Sequence, residues 1–310
     1  MRAVRHTDRG IEVVDTPEPS GDGVRVRVRS AGICGSDLKL IEVGPSPVTL
    51  GHELAGVLDD GTAVAVEPLL PCGTCDQCVA GDYGRCRRGG SIFVGLAADG
   101  GMADAMLVPE RALVPLAAGV RVEDACVVEP LAVAQRGLRL VGAASGMRVA
   151  VVGGGTIGLT AVAVARAMGC DVTLVARHEA QRAAGERLGA GAPQPEYDVV
   201  VEAAGTESAM ATAAELAAPG ATVLVLSTYW GPMVVPGVVA LVKELSIVSS
   251  IVYGEHGGSR DIDAAAALLA AKPGIADALI THRLPLDDAA EAFRVARDRA
   301  AGAIKVVLEP

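Results

Sequence analysis

The chain has 310 residues, of which 51% are hydrophobic and only 2% aromatic, and its formal net charge is −10. The length allows about two domains, the apolar content excludes a disordered chain, and the negative charge argues against nucleic acid or an anionic membrane as partner. Val, Ala and Leu must fill the core, and valine-rich strands buried on both faces suit an α/β architecture.

The N-terminus, Met1-Arg2-Ala3-Val4-Arg5-His6, has no basic segment followed by an apolar run of the kind a secretory signal needs. The longest apolar stretch, Val149 to Ala165, is interrupted by four glycines and two threonines and is too short to span a bilayer. A soluble, cytoplasmic protein is expected. Residues 1 to about 120 read as β-rich: Val24 to Arg29 alternates with the period of a half-buried strand, and Gly and Pro punctuate every short run up to Pro115.

Two metal-ligating sets fall in this stretch. Cys34, His52 and Glu53 form the first. The second is Cys72-x2-Cys75-x2-Cys78-x7-Cys86, four thiols within fifteen residues. Disulfides at such short spacing are strained, whereas successive sulfurs two residues apart can turn back on one tetrahedral zinc. Seven cysteines, an odd number, also suit metal ligands and spare thiols better than paired disulfides.

From Glu123 the texture changes. Glu123 to Val141 has helical spacing and few breakers. Strands and helices then alternate: strands at Arg148–Val152, Asp171–Ala176, Asp198–Val201, Ala221–Leu226 and Leu245–Val248, with helices at Thr156–Met168, Glu179–Leu188 and Asp261–Ala271. Such alternation predicts right-handed crossovers and a parallel sheet. A helix over Leu286–Arg299 and a strand over Ile304–Leu308 close the chain and are expected to return to the first domain. The expected division is 1–122 with 273–310 for one domain and 123–272 for the other.

Gly153-Gly154-Gly155-Thr156-Ile157-Gly158 sets G-x-G-x-x-G between the first strand of the alternating region and its helix. Gly153 makes the turn, Gly155 admits a pyrophosphate, Gly158 lets helix and strand pack closely, and the helix start at Thr156 and Ile157 attracts the anion. An NAD enzyme places an acid at the end of the next strand. Here Arg177 and His178 stand there and Arg182 follows one turn later, which predicts a 2′-phosphate and so NADP in preference to NAD.

Gly32-Ile33-Cys34-Gly35-Ser36-Asp37, Gly51-His52-Glu53, the cysteine run, Glu129-Pro130-Leu131, Gly153 to Gly158, the closing Thr281 to Leu286 and the Lys305-Val306-Val307 strand occur in a single order. In that order the chain resembles the zinc-containing alcohol dehydrogenases of the medium-chain dehydrogenase/reductase superfamily, nearest the sorbitol and threonine dehydrogenase branch. The resemblance implies a Rossmann doubly wound parallel sheet plus a β-rich GroES-like catalytic domain. It implies a catalytic zinc on Cys34 and His52, with Glu53 and Glu129 supplying a third ligand or bracketing a bound water. It further implies Ser36 as the proton-relaying hydroxyl, and a structural zinc on Cys72, Cys75, Cys78 and Cys86.

The substrate is then a small-molecule secondary alcohol, polyol or cyclic, or its ketone. No nucleic-acid or membrane partner is expected, and the assembly is a homo-oligomer, dimer or tetramer. Lys39 stands where many relatives carry a relay histidine, and Val252 replaces the arginine with which polyol dehydrogenases contact substrate. Ile92, Leu96 and Trp230 are candidates for the pocket lining. Two rival readings are a zinc-free reductase of activated double bonds and a zinc-ribbon module attached to a nucleotide-sensing domain.

Overall fold

The computed structural model describes residues 1–89 and 93–310; Ile92 lies outside the described residues. The chain forms two compact units, residues 1–129 with 254–310, and residues 130–253. The changeovers fall later and earlier, respectively, than the sequence division at 122/123 and 272/273. Residues 254–272 go with the first unit because Arg260 donates to Glu67 Oε2 at 3.0 Å and to the carbonyls of Arg111 and Leu113, and Glu255 N donates to Gly81 O at 2.7 Å.

The first unit is built on a seven-stranded sheet. Its order is Ile280–Pro285, Lys305–Glu309, Val24–Gly32, Glu53–Val57, Ala63–Val66 and Leu113–Pro115, with Ala105–Val108 also pairing Val24–Gly32. The C-terminal strand thus lies beside the long N-terminal one, Val307 opposite Gly32, while Gly32 on its other side faces Glu53. Val26, Val28, Leu54, Val64, Val66, Phe293, Val306 and Leu308 are among the buried side chains of its core. Phe293 comes from the Ala289–Arg297 helix, which is preceded by a separate 3₁₀ turn at Leu286–Asp288; one helix had been expected over the whole stretch. The strand 280–285 was not anticipated: its residues alternate between half-buried and exposed, but none is fully buried, and polar Thr281, His282 and Arg283 occupy its middle.

The second unit is a five-stranded sheet, parallel throughout, in the order Ser246–Ser249, Ala217–Val225, Tyr197–Glu202, Arg148–Val152, Asp171–Val175. The valine-rich strands are buried as expected. Order reverses beside Arg148–Val152, which is the switch point at which open α/β sheets bind ligands. The Glu207–Leu216 helix was not read from its sequence. It starts on Thr206, whose Oγ1 accepts from Ala209 N at 3.2 Å, an ordinary N-cap. The helix expected from Glu123 begins only at Val128, after a 3₁₀ turn at Ala125–Val127. Among the described residues no helix is long and apolar enough to cross a membrane.

Candidate active site

Strand pairing brings the first metal set together. Cys34 lies two residues beyond the end of the Val24–Gly32 strand, and His52 and Glu53 enter the strand paired to it, with Gly32 opposite Glu53. One ligand atom each from Cys34, His52 and Glu53 lie within 4.8 Å of one another, with His52 and Glu53 buried. Glu129, second residue of the Val128–Leu140 helix and buried, is not part of that close set.

Asp37 holds the set in place, a role that its position in the sequence alone does not reveal. Fully buried, it accepts from Cys34 N at 2.8 Å through Oδ2, and its Oδ1 lies 3.4 Å from His52 Nδ1. A carboxylate on that side places the ring proton on Nδ1 and leaves the Nε2 lone pair for a metal. Ser36 Oγ stands 3.4 Å from Nε2. Burial alone drives His52 toward the neutral form, but Asp37 and Cys34 outweigh it and hold the free imidazole protonated well above its ordinary range. A metal taking this place displaces that proton.

Glu53 is paired with Lys305. Lys305 Nζ donates to Glu53 Oε2 and, at 2.9 Å, to Ile33 O, and both side chains are 1% exposed. Burial lowers the ammonium's pKa, yet Glu53 and Cys34 more than reverse this, so Lys305 stays charged. Cys126, behind them, is pushed by burial and then by Glu53 up to about 12, and is a neutral thiol. Glu53 Oε1 is buried with no hydrogen-bond partner. A thiolate, an imidazole and a carboxylate oxygen otherwise unsatisfied form the donor set of an open zinc site; the residues fit the metal.

The four-cysteine run closes on itself. All four sulfurs lie within 4.8 Å of one another, with Cys75 to Cys78 at 3.5 Å and Cys72 to Cys78 at 3.8 Å. Cys75 N donates to Cys72 Sγ at 3.4 Å and Cys72 N to Cys86 Sγ at 3.5 Å. The backbone N–H groups of Thr74 and Cys75 bring Cys72 down to about 6, while burial pushes Cys78 up to about 12. Four sulfurs without another ligand suit a closed, tetrahedral zinc.

In the second unit the backbone itself requires glycine at two of the three motif positions, Gly153 and Gly158. Gly153 has φ +114°, and a Cβ there would come within 2.8 Å of the Ala203 backbone; at Gly158 a Cβ would meet Gly153 O at 1.8 Å. Gly155 is the N-cap of Thr156–Ala167, a helix with no acid in its first turn, so Thr156 and Ile157 open a helix start that suits an anion. The Asp171–Val175 strand ends just before Arg177, which is exposed and donates to Ser208 Oγ at 3.2 Å. His178 is the N-cap of Glu179–Arg187. Arg182 folds back onto the carbonyls of Ala176 and Arg177 and onto Glu179, at 2.6 to 3.2 Å. Its guanidinium is thus committed to the turn itself, and Arg177 is left as the better-placed cation.

Other sequence candidates lie as follows. Lys39 pairs with Glu42 at 2.9 Å. Leu96 and Trp230 are 37% and 55% exposed. Val252 has φ +51°, a left-handed conformation that is strained for a β-branched residue.

The model of the alcohol dehydrogenase GroES-like domain matches residues 20–118, and that of pyridine nucleotide-disulphide oxidoreductases matches residues 148–188. The chain is 30% identical to galactitol 1-phosphate 5-dehydrogenase of Escherichia coli K12, covering 99% of both chains; the solved E. coli enzyme matches with a TM-score of 0.89 over the whole of both chains. It is 30% identical to D-xylulose reductase A of Aspergillus niger, over 96% of this chain and 91% of that one. A protein described as a zinc-binding dehydrogenase from Sinorhizobium meliloti 1021, solved with NADP bound, matches at 30% identity with a TM-score of 0.86, covering 100% of this chain and 99% of the other.

Proposed function

The chain belongs to the zinc-containing alcohol dehydrogenases of the medium-chain dehydrogenase/reductase superfamily, of the polyol dehydrogenase type, and we propose that it oxidises a polyol or cyclic secondary alcohol with NADP. It is an NAD(P)-linked enzyme that interconverts an alcohol and its ketone. One observation carries the assignment of its site: Cys34, His52 and Glu53 converge at the end of paired strands, with an unsatisfied carboxylate oxygen among them.

Cys34, His52 and Glu53 hold the catalytic zinc, and the four-cysteine set holds a structural one. When bound, the catalytic metal acidifies the alcohol and the nicotinamide accepts its hydride. Asp37 keeps the His52 ring oriented, and Ser36 Oγ relays the substrate's proton, giving up its own hydroxyl proton as it accepts one. The GroES-like part carries this chemistry, and the part beginning near Pro130 carries the dinucleotide on Gly153, Gly155 and Gly158. Cysteines given to metal ligation, with Cys126 and Cys170 left as buried thiols, support a cytoplasmic setting. A panel of polyols, sugar alcohol phosphates and cyclic alcohols, read at the nicotinamide absorbance with both cofactors, tests the reading. Turnover of none of them, or turnover undiminished after complete metal removal, overturns it.

Cofactor choice rests on Arg177. A guanidinium binds a phosphate through parallel charge-assisted bonds. Because Arg177 is exposed, solvent screening holds its effect toward the low end, about tenfold in kcat/KM for NADP over NAD. Arg177→Asp is expected to reverse the preference. A wild type with higher kcat/KM for NAD than for NADP refutes it.

The assembly is proposed to be a homo-oligomer. The second unit leaves Val234, Val238, Leu241 and Val242 48 to 77% exposed, and Ser246–Ser249 is an edge strand of its sheet. An apolar patch beside an open strand edge needs a cover. Light scattering at micromolar concentration is expected to return a multiple of the single-chain mass; the single-chain mass itself rules the oligomer out.

A further inference from the structure

Lys305 takes no part in the chemistry assigned above, yet it is among the least accessible side chains of the protein, 1% exposed, and its ammonium donates to Glu53 Oε2 and Ile33 O. Lysines are almost never fully buried unless paired. A buried ion pair also returns little net stability, because desolvating both charges offsets their attraction. The pair therefore calls for a reason other than stability.

The surroundings supply one. Gly32 lies directly against the pair: a Cβ there would stand 2.4 Å from Glu53 Oε2 and 3.2 Å from Lys305 Cδ. The sheet aligns the three, since Gly32 pairs with Glu53 on one side and with Val307 on the other. Glu53 Oε2 is thus held by Lys305 in a slot that only glycine leaves open. Oε1 is buried and without a hydrogen-bond partner, and Cys34 and His52 offer their ligand atoms within 4.8 Å of a Glu53 oxygen.

We propose that Lys305 is a positioning residue that occupies one oxygen of Glu53, so that the carboxylate meets the metal through the other oxygen alone and a position remains open for the alcohol. The inference rests on the zinc reading of Cys34, His52 and Glu53. A carboxylate free of Lys305 can turn both oxygens to the metal, raising its coordination number and filling the place that substrate needs. Partners that orient a metal's ligands typically change affinity or activity by about 10- to 100-fold when removed.

Cobalt(II) is the probe. Full-length protein is loaded with cobalt, and the spectrum of the His52→Ala variant is subtracted to isolate the site. That difference first tests the zinc reading: if wild type and His52→Ala bind equal cobalt with equal spectra, the reading of the site fails, whatever Lys305 does. Given a difference, Lys305→Met is expected to keep its cobalt while the visible bands weaken and shift, as four-coordination gives way to five. Its kcat should fall by about 10- to 100-fold with the KM for NADP unchanged. Gly32→Ala keeps every charge and crowds Oε2 most closely, with Lys305 Cδ next at 3.2 Å, so it is expected to give the same spectral change, and it decides the matter if Lys305→Met does not fold. Spectra superimposable on wild type, with only a lowered melting temperature, make Lys305 a structural residue and overturn the proposal.

Discussion

Alcohol oxidation is expected to fall by at least about a thousandfold when His52 is replaced by alanine, with NADP(H) binding unchanged. A metal contributes several kcal/mol of charge stabilisation in the transition state, and about 1.4 kcal/mol is a factor of ten in rate. Among the described residues, His52 supplies one of three close ligands, and its ring is positioned by Asp37, which has no exposure to solvent. The glycines proposed to receive the dinucleotide lie in the other compact unit, residues 130–253, so fluorescence titration with NADPH separates lost chemistry from lost binding. Metal analysis should find one zinc fewer per chain, with the four-cysteine zinc retained. His52→Ala protein that turns over at the wild-type rate excludes this site as the catalytic one.

The glycine motif and the cysteine run were legible because their chemistry is local. A Cβ at Gly158 would collide with Gly153 O five residues away, so the sequence records the constraint within a single turn. The four sulfurs likewise converge within fifteen residues. The parallel sheet was legible from valine-rich runs recurring between helices, and the family order of the motifs fixed the GroES-like part. Lys305 was not legible. Its partner is 252 positions away, and only the pairing of the C-terminal strand with Val24–Gly32 brings them together. Asp37 stands three residues after Cys34, but an acid in the first turn of a helix reads equally well as an ordinary cap. Arg182 shows the converse. Its spacing placed it with the phosphate, whereas its bonds to Ala176 O and Arg177 O hold it at the strand end. Residues 254–272 look like a continuation of the nucleotide half in sequence, since a helix follows a strand there. Long-range bonds from Arg260 to Glu67, Arg111 and Leu113 tie that stretch to the first unit.

Cys75→Ser is expected to release the second zinc and loosen residues 72–86 without touching the chemistry directly. Cys75 Sγ lies 3.5 Å from Cys78 Sγ, and its backbone N–H holds Cys72 Sγ at 3.4 Å. A hydroxyl in its place keeps the chain's path but gives a hard, neutral ligand to a metal that prefers thiolate. Structural zinc contributes about 10–16 kcal/mol in small zinc-dependent folds, so each of four ligands carries about 3 kcal/mol if the total is shared evenly. At roughly 2–4 °C per kcal/mol for a unit of this size, the melting temperature falls by about 6–12 °C. The loss has a path into the rest of the first unit. Tyr83, between Cys78 and Cys86, donates to Glu67 Oε1, and Glu67 Oε2 accepts from Arg260 at 3.0 Å. Gly81 O accepts from Glu255 N at 2.7 Å. Burial raises the pKa of Glu67 against the opposing pull of Tyr83 and Arg260, so this carboxylate depends on both partners staying in place. Hydrogen exchange should therefore rise first at residues 72–86 and next at 255–260, while the sheet of residues 148–249 keeps its protection. Zinc content and melting temperature equal to wild type would show that the four thiols hold no structural metal.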